Sequence, residues 1–171
     1  MTDDAFSRIK IRVGAVVFHS DDVALIRRTN AAGIDHYALP GGNVESGEDV
    51  YQALARELFE ELGLGLHQLP SPPSFTWMMD AMVSRPGGPP PRKLHLVYRL
   101  HIDDHLRKGL NSCEHDEELG KGDVVWVPYR QTAGLHLFPP VPLAQLETPK
   151  APVDAAMCML PPLGNDNYVW V

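Results

Sequence analysis

The chain has 171 residues, room for one domain of ordinary size and hardly for two. Apolar residues at 44% and charged residues at 22% exclude a disordered chain and a tiny stapled scaffold. The 15 Lys and Arg against 22 Asp and Glu give a net charge of −7, which argues against bulk nucleic-acid binding but permits a small phosphorylated ligand beside a metal ion.

Two cysteines, Cys113 and Cys158, build no disulfide framework. The acidic start Met1-Thr2-Asp3-Asp4 does not read as a targeting peptide, and no apolar run reaches the ~20 residues of a membrane span. The expectation is one domain over 1–171, soluble and cytoplasmic, with no membrane partner. Nothing in the sequence sets its oligomeric state.

In chain order, Ile9, Ile11 and Val13 alternate with Lys10 and Arg12, predicting a half-buried strand that runs into Ala15-Val16-Val17-Phe18. Turn residues at His19 to Asp22 return it as Val23 to Ile26, and a short strand follows at His36 to Leu39, broken by Pro40-Gly41-Gly42. A helix comes next, with Ser46 as N-cap and Asp49 three residues on. Val50, Leu54, Leu58 and Leu62 form its apolar stripe and Gly63 stops it. Later strands are predicted at Phe75 to Val83, Leu94 to Ile102 and Val124 to Val127, with an exposed Pro/Gly connection from Arg85 to Pro91. A Pro-rich tail from about 139 to 171 reads as irregular chain, wrapping the domain or partly mobile.

The chemistry lies in the helix. Glu57, Glu60 and Glu61 fall within an arc of about 100°, so like charges crowd one face. Oxygen ligands in a cluster suit Mg²⁺ or Mn²⁺ rather than Zn²⁺, and Arg56 is placed to fix Glu57 with a forked pair of hydrogen bonds. Taken alone, the commoner fate of such a triad is a solvated acidic face.

The whole segment from Gly42 to Leu64, GNVESGEDVYQALARELFEELGL, resembles the Nudix box at every fixed position. Those positions are Gly42, Glu48, Arg56, Glu57, Leu58, Glu60, Glu61, Gly63 and Leu64. The resemblance implies an α/β (α+β) fold, a Nudix-type α/β/α sandwich with a curved mixed sheet and the box as a loop–helix–loop. It implies hydrolysis of a nucleoside diphosphate linked to another group, with Mg²⁺ (or Mn²⁺ in its place) as cofactor. Glu57, Glu60, Glu61 and a carbonyl from Gly41 or Gly42 are its implied metal ligands, with Glu48 and Arg56 orienting them. The general base stays open between a box glutamate such as Glu57 and the acidic stretch Glu114 to Glu118, in which Glu117 and Glu118 are the candidates.

Family selectivity residues are missing: Asp80 stands where ADP-ribose hydrolases often carry proline, and Ala81 and Met82 where dinucleoside polyphosphate hydrolases often carry tyrosine. Elimination leaves nucleoside di- or triphosphates as the expected small-molecule substrate. ADP-ribose, dinucleoside polyphosphates, RNA 5′ ends or a non-catalytic nucleotide sensor are the alternatives. Arg27 and Arg28 are candidate phosphate contacts, and Tyr37 and Tyr98 candidate base-stacking rings, whereas Trp77 reads better as core. The histidines, His95 among them, make no zinc pattern and read as surface or packed imidazoles.

Overall fold

The computed structural model describes residues 9–85, 91–116 and 120–171. Among these, nine strands join one curved, unclosed mixed sheet. The strands are β1 (Lys10–His19), β2 (Asp22–Thr29), β3 (Asp35–Ala38), β4 (Ser74–Met82), β5 (Arg92–His101), β6 (Cys113–Asp116), β7 (Gly120–Pro128), β8 (Leu137–Phe138) and β9 (Leu163–Gly164). The main order is β6-β7-β2-β1-β5-β4-β9, with β3 on β2 and β8 on β3. At its centre β1 and β5 run parallel in unbroken register from Lys10 opposite Lys93 to Phe18 opposite His101.

Alternation along these strands separates two cores. One face buries Val13, Ala15, Val17, Ala24 and Ile26 against α1 (Val50–Leu62), whose Leu54, Leu58 and Leu62 are fully buried. The short α2 (Asp104–Gly109) adds Leu106 to the same side. The other face buries Val16, Phe18, Val23, Leu25, Trp77 and Val97. Its cover is not a long helix but 3₁₀ turns at Tyr129–Gly134 and Leu143–Gln145 and the Pro-rich tail, which inserts Leu160 and Leu163. The tail therefore wraps the sheet. No helix of the described residues is long and apolar enough to cross a membrane.

Two local expectations need correcting. The N-cap of α1 is Asp49, not Ser46: the Asp49 carboxylate accepts from the amides of Tyr51 and Gln52, and the Gln52 side chain accepts the Asp49 amide in return. Ser46 stays outside the helix, separated from it by the turn at Gly47 (φ +89°), because the reciprocal Asp49–Gln52 pair closes the first helical turn. At the start of β1, Ile9 and Ile11 are exposed and burial begins at Val13. The connection 86–90 lies outside the described residues.

Candidate functional site

The segment after β3 lies along β1 and is fastened to it by backbone. Ala15 N–H donates to the Pro40 carbonyl (2.8 Å), Val13 N–H to the Gly42 carbonyl (2.9 Å) and Val44 N–H to the Ile11 carbonyl (2.9 Å). Arg12 Nη2 donates to the Gly41 carbonyl at 2.8 Å. Gly41 adopts φ +144°, and a side chain there would strike the backbone of Val13 and Gly14. This close seating brings the two glycines beneath the outer face of α1.

Arg56 gathers the box. Its Nε and Nη2 donate to the two carboxylate oxygens of Glu48 at 2.6 and 3.0 Å, and Nη2 also reaches the Asn43 carbonyl at 3.1 Å. Its Nη1 donates to Glu57 (2.9 Å) and to Glu60 (3.2 Å). Such forked, charge-assisted contacts fix a guanidinium in one plane and with it the carboxylates it holds. The Arg56 guanidinium keeps the Glu48 carboxyl below its ordinary range, and its own pKa is raised, chiefly by Glu48. Burial pushes the Glu57 carboxyl up while Arg56 pulls it back. Glu61 is held differently: its carboxylate accepts the Gly41 amide at 2.7 Å, and burial pushes its pKa up to about 8.

Arg56 thus holds Glu57 and Glu60 together, while the Gly41 amide holds Glu61 apart from them. Among the described residues no three acidic, His or Cys side chains form a ready-made metal cage. The donor chemistry nevertheless fits a hard divalent cation. It is acidic and all-oxygen, Asn43 Oδ1 is buried without a hydrogen-bond partner on the same cleft wall, and the Glu57 carboxylate sits where a side chain on Gly42 would collide with it.

These groups line one end of a cleft of about 1030 Å³. Glu57, Glu60, Glu61, Gly41 and Gly42 all face it, as do Arg28 and Tyr37 of the expected substrate contacts. Arg27 and Tyr98 are not among its lining residues. Arg27 is paired with Asp123 at 3.0 Å, and Tyr98 belongs to the α1 side of the sheet, where its ring meets Phe75 edge-on at 5.7 Å. Strand alternation turns Tyr98 away from the face that carries Lys93 and His95, whereas Arg27 is drawn off by Asp123. Arg28 forms a buried ion pair with Glu114, which lies on β6 rather than in a solvated acidic loop. Glu117 and Glu118 lie outside the described residues.

The sequence reading passed over several lining residues: Arg12, Asn43, Lys93, His95, Phe138, Tyr168 and Trp170. The available signal was Lys93 and His95 alternating in phase with the buried Val97 on one strand, polar groups where the inward face should be apolar. Both are buried, His95 being only 2% exposed.

A sequence model of the NUDIX domain matches residues 8–147. Over 54 residues the chain is 41% identical to an ADP-ribose pyrophosphatase of Methanocaldococcus jannaschii, a match that spans 32% of either protein and so about a third of that relative's length. In structure it resembles the NUDIX domain of Shewanella oneidensis NrtR, solved with ADP-ribose, at TM-score 0.56 and 20% identity, covering 80% of this chain and 84% of that one. It also resembles the E. coli ORF135 protein at TM-score 0.55 and 21% identity, covering 81% and 87%. The open mixed sheet, the glycine segment clamped to β1 and the Arg56-centred carboxylates are the setting of the matched box, and the chain belongs to the Nudix hydrolase family.

Proposed function

We propose that residues 1–171 act as one cytoplasmic domain that hydrolyses the pyrophosphate bond of nucleoside diphosphate derivatives with Mg²⁺, or Mn²⁺ in its place. Nucleoside 5′-di- and triphosphates are the favoured substrates, with the nucleoside monophosphate as product and phosphate or pyrophosphate as leaving group. The observation that carries this reading is the Arg56 clamp, which is braced on Glu48 and holds Glu57 and Glu60 on the wall of a cleft large enough for a nucleotide.

In this reading Glu57, Glu60 and Glu61, with a carbonyl of Gly41 or Gly42, would hold the divalent ions, which when bound would neutralise pyrophosphate charge and lower the pKa of the attacking water. Arg56 and Glu48 orient those carboxylates, and Arg12 fixes the Gly41 carbonyl from behind. Arg28 stands on the cleft wall near the phosphates, its direction set by Glu114. Tyr37 offers a ring to the bound nucleotide. Glu117 and Glu118 are the candidates for taking the proton of the attacking water, Glu118 slightly favoured, and Glu57 is the competing base.

ADP-ribose is the second reading, favoured by the similarity to an ADP-ribose pyrophosphatase. Asp80, which argued against it, does not line the cleft but forms a pair with Arg92 at 2.8 Å. The deciding assay follows phosphate or pyrophosphate release and product nucleotide over a panel of nucleoside di- and triphosphates, ADP-ribose, diadenosine polyphosphates and triphosphorylated RNA, with Mg²⁺, Mn²⁺ or chelator. Fast metal-dependent turnover of a simple nucleotide supports the favoured reading. Preferential turnover of ADP-ribose replaces it with the second, and activity in excess chelator refutes the metal role.

A further inference from the structure

Residues 148–171 lie beyond the span matched by the family model, yet they build part of the cleft. β9 pairs in parallel with β4 at Ala81 and Met82, and Asn165 ties down Ser84 through its amide (2.8 Å) and its hydroxyl (2.7 Å). From that anchor the chain passes Tyr168, whose hydroxyl lies 3.0 Å from His136 Nε2, and Trp170, over which the Arg85 guanidinium sits at 4.3 Å. Phe138 is the hub, meeting Tyr168 at 5.4 Å, Trp170 at 4.9 Å and His95 at 5.2 Å, each edge-on. The part of the cleft bordered by the tail is thus walled by aromatic rings.

His95 faces the same space. It is 2% exposed, and its Nε2 is buried without a hydrogen-bond partner. A buried polar atom left unmatched destabilises the free protein, and a ligand atom that satisfies it gains in proportion. The field around His95 comes from cations, namely Arg12, Lys93 and Arg85, and burial keeps the imidazole neutral. Positive surroundings favour an electron-rich oxygen over an amino group, and a neutral imidazole protonated on Nε2 donates to that oxygen.

We propose that His95 and the tail rings Tyr168 and Trp170, with Phe138, form a compartment for the nucleobase and select a base that presents a carbonyl oxygen to His95 Nε2. The inference rests on reading the cleft as a nucleotide site and adds the part of the nucleotide that is discriminated.

The test is metal-free binding, followed by tryptophan fluorescence and calorimetry in excess chelator, with GMP, UMP, AMP and ribose 5-phosphate as probes. GMP and UMP are expected to bind about 5-fold or more tighter than AMP, and ribose 5-phosphate most weakly. His95→Leu should bring GMP down to the AMP level and leave AMP within about twofold, whereas His95→Gln, which keeps a donor, retains part of the preference. Trp170→Ala should weaken every nucleotide by about tenfold and leave ribose 5-phosphate unchanged. Melting curves for each variant exclude loss of fold as the cause.

The proposal is overturned if AMP binds as tightly as GMP, if His95→Leu preserves the preference, or if no probe binds at millimolar concentration. Hydrolysis of nucleotides without base preference would sink the compartment and spare the proposed activity. Base-selective binding with no hydrolysis across the panel would do the reverse.

Discussion

Replacing Gly42 with alanine separates the placement of Glu57 from the stability of the fold. A methyl group at this position would lie 2.6 Å from Glu57 Oε2 and nearer still to Oε1 and Cδ. Ordinary contact begins at 3.4 Å, so the carboxylate must retreat by about 1 Å or more. The end of a side chain can do this, but only by leaving the 2.9 Å contact with Arg56 Nη1. Gly42 does not have a positive φ, so alanine brings no backbone strain, and the stability change should stay within about 1 kcal/mol. A misplacement of this size at a reacting centre costs about 100-fold in rate. Steady-state kcat with Mg²⁺ on the best nucleotide of the panel, set beside a urea denaturation curve, reads both quantities. Gly41→Ala is the contrasting control: φ is +144° and the methyl group meets the Val13 carbonyl and Gly14 Cα (2.8 Å), backbone that cannot yield. That variant should lose roughly 2–4 kcal/mol of stability. If Gly42→Ala keeps kcat within about threefold of wild type, the position of Glu57 does not limit the reaction and the argument fails.

Glu61→Gln should lower kcat by about 100-fold or more while stabilising the metal-free protein. The folded-state pKa of Glu61, about 8, lies above its ordinary 4.5, so its contribution is full below 4.5 and lost as pH rises toward 8. Metal-free Tm across that window should fall more for wild type than for the variant. His95 has the opposite sign: its pKa is lowered from 6.5 to about 3, so stability present above 6.5 is lost as pH falls toward 3. His95→Leu should remove that acid sensitivity in a pH series of thermal melts, and an unchanged slope would contradict the burial of a neutral imidazole. Glu114→Ala leaves Arg28 without its buried carboxylate and should cost about 3 kcal/mol by chemical denaturation; a neutral result would mean that solvent reaches the pair.

What the sequence disclosed follows from how local the determining forces are. The stripe Leu54, Leu58 and Leu62, the stop at Gly63 and the glutamates of α1 depend on spacing within one helix, and all were readable. The N-cap is Asp49 rather than Ser46 because Asp49 and Gln52 exchange hydrogen bonds at the same three-residue spacing, a local signal that competes with Ser46. Residue type alone points to Arg27 and Tyr98, but pairing with Asp123 takes the first from the cleft and sheet alternation the second, while alternation brings Arg12 and His95 to it. β8 and β9 are two-residue strands whose partners, Tyr37 to Ala38 and Ala81 to Met82, lie far away in sequence, so no local pattern announces them. The Pro-rich tail lacked periodicity because it packs by scattered single anchors such as Leu160 and Leu163 rather than by a repeating face.

The parallel pairing of β1 with β5 places Arg12 directly opposite His95. Arg12 grips the glycine carbonyl at the acidic end of the cleft, and His95 borders the aromatic end. Arg12 and His95 are therefore set apart by the ~4.8 Å between neighbouring strands at one rung of the ladder, and not by the loops around them. The sheet works as a ruler. Exchanging loop residues should change how tightly a ligand is held without changing the separation that it must span, whereas shifting the register of β5 by one residue would turn His95 to the opposite face and erase the scale altogether.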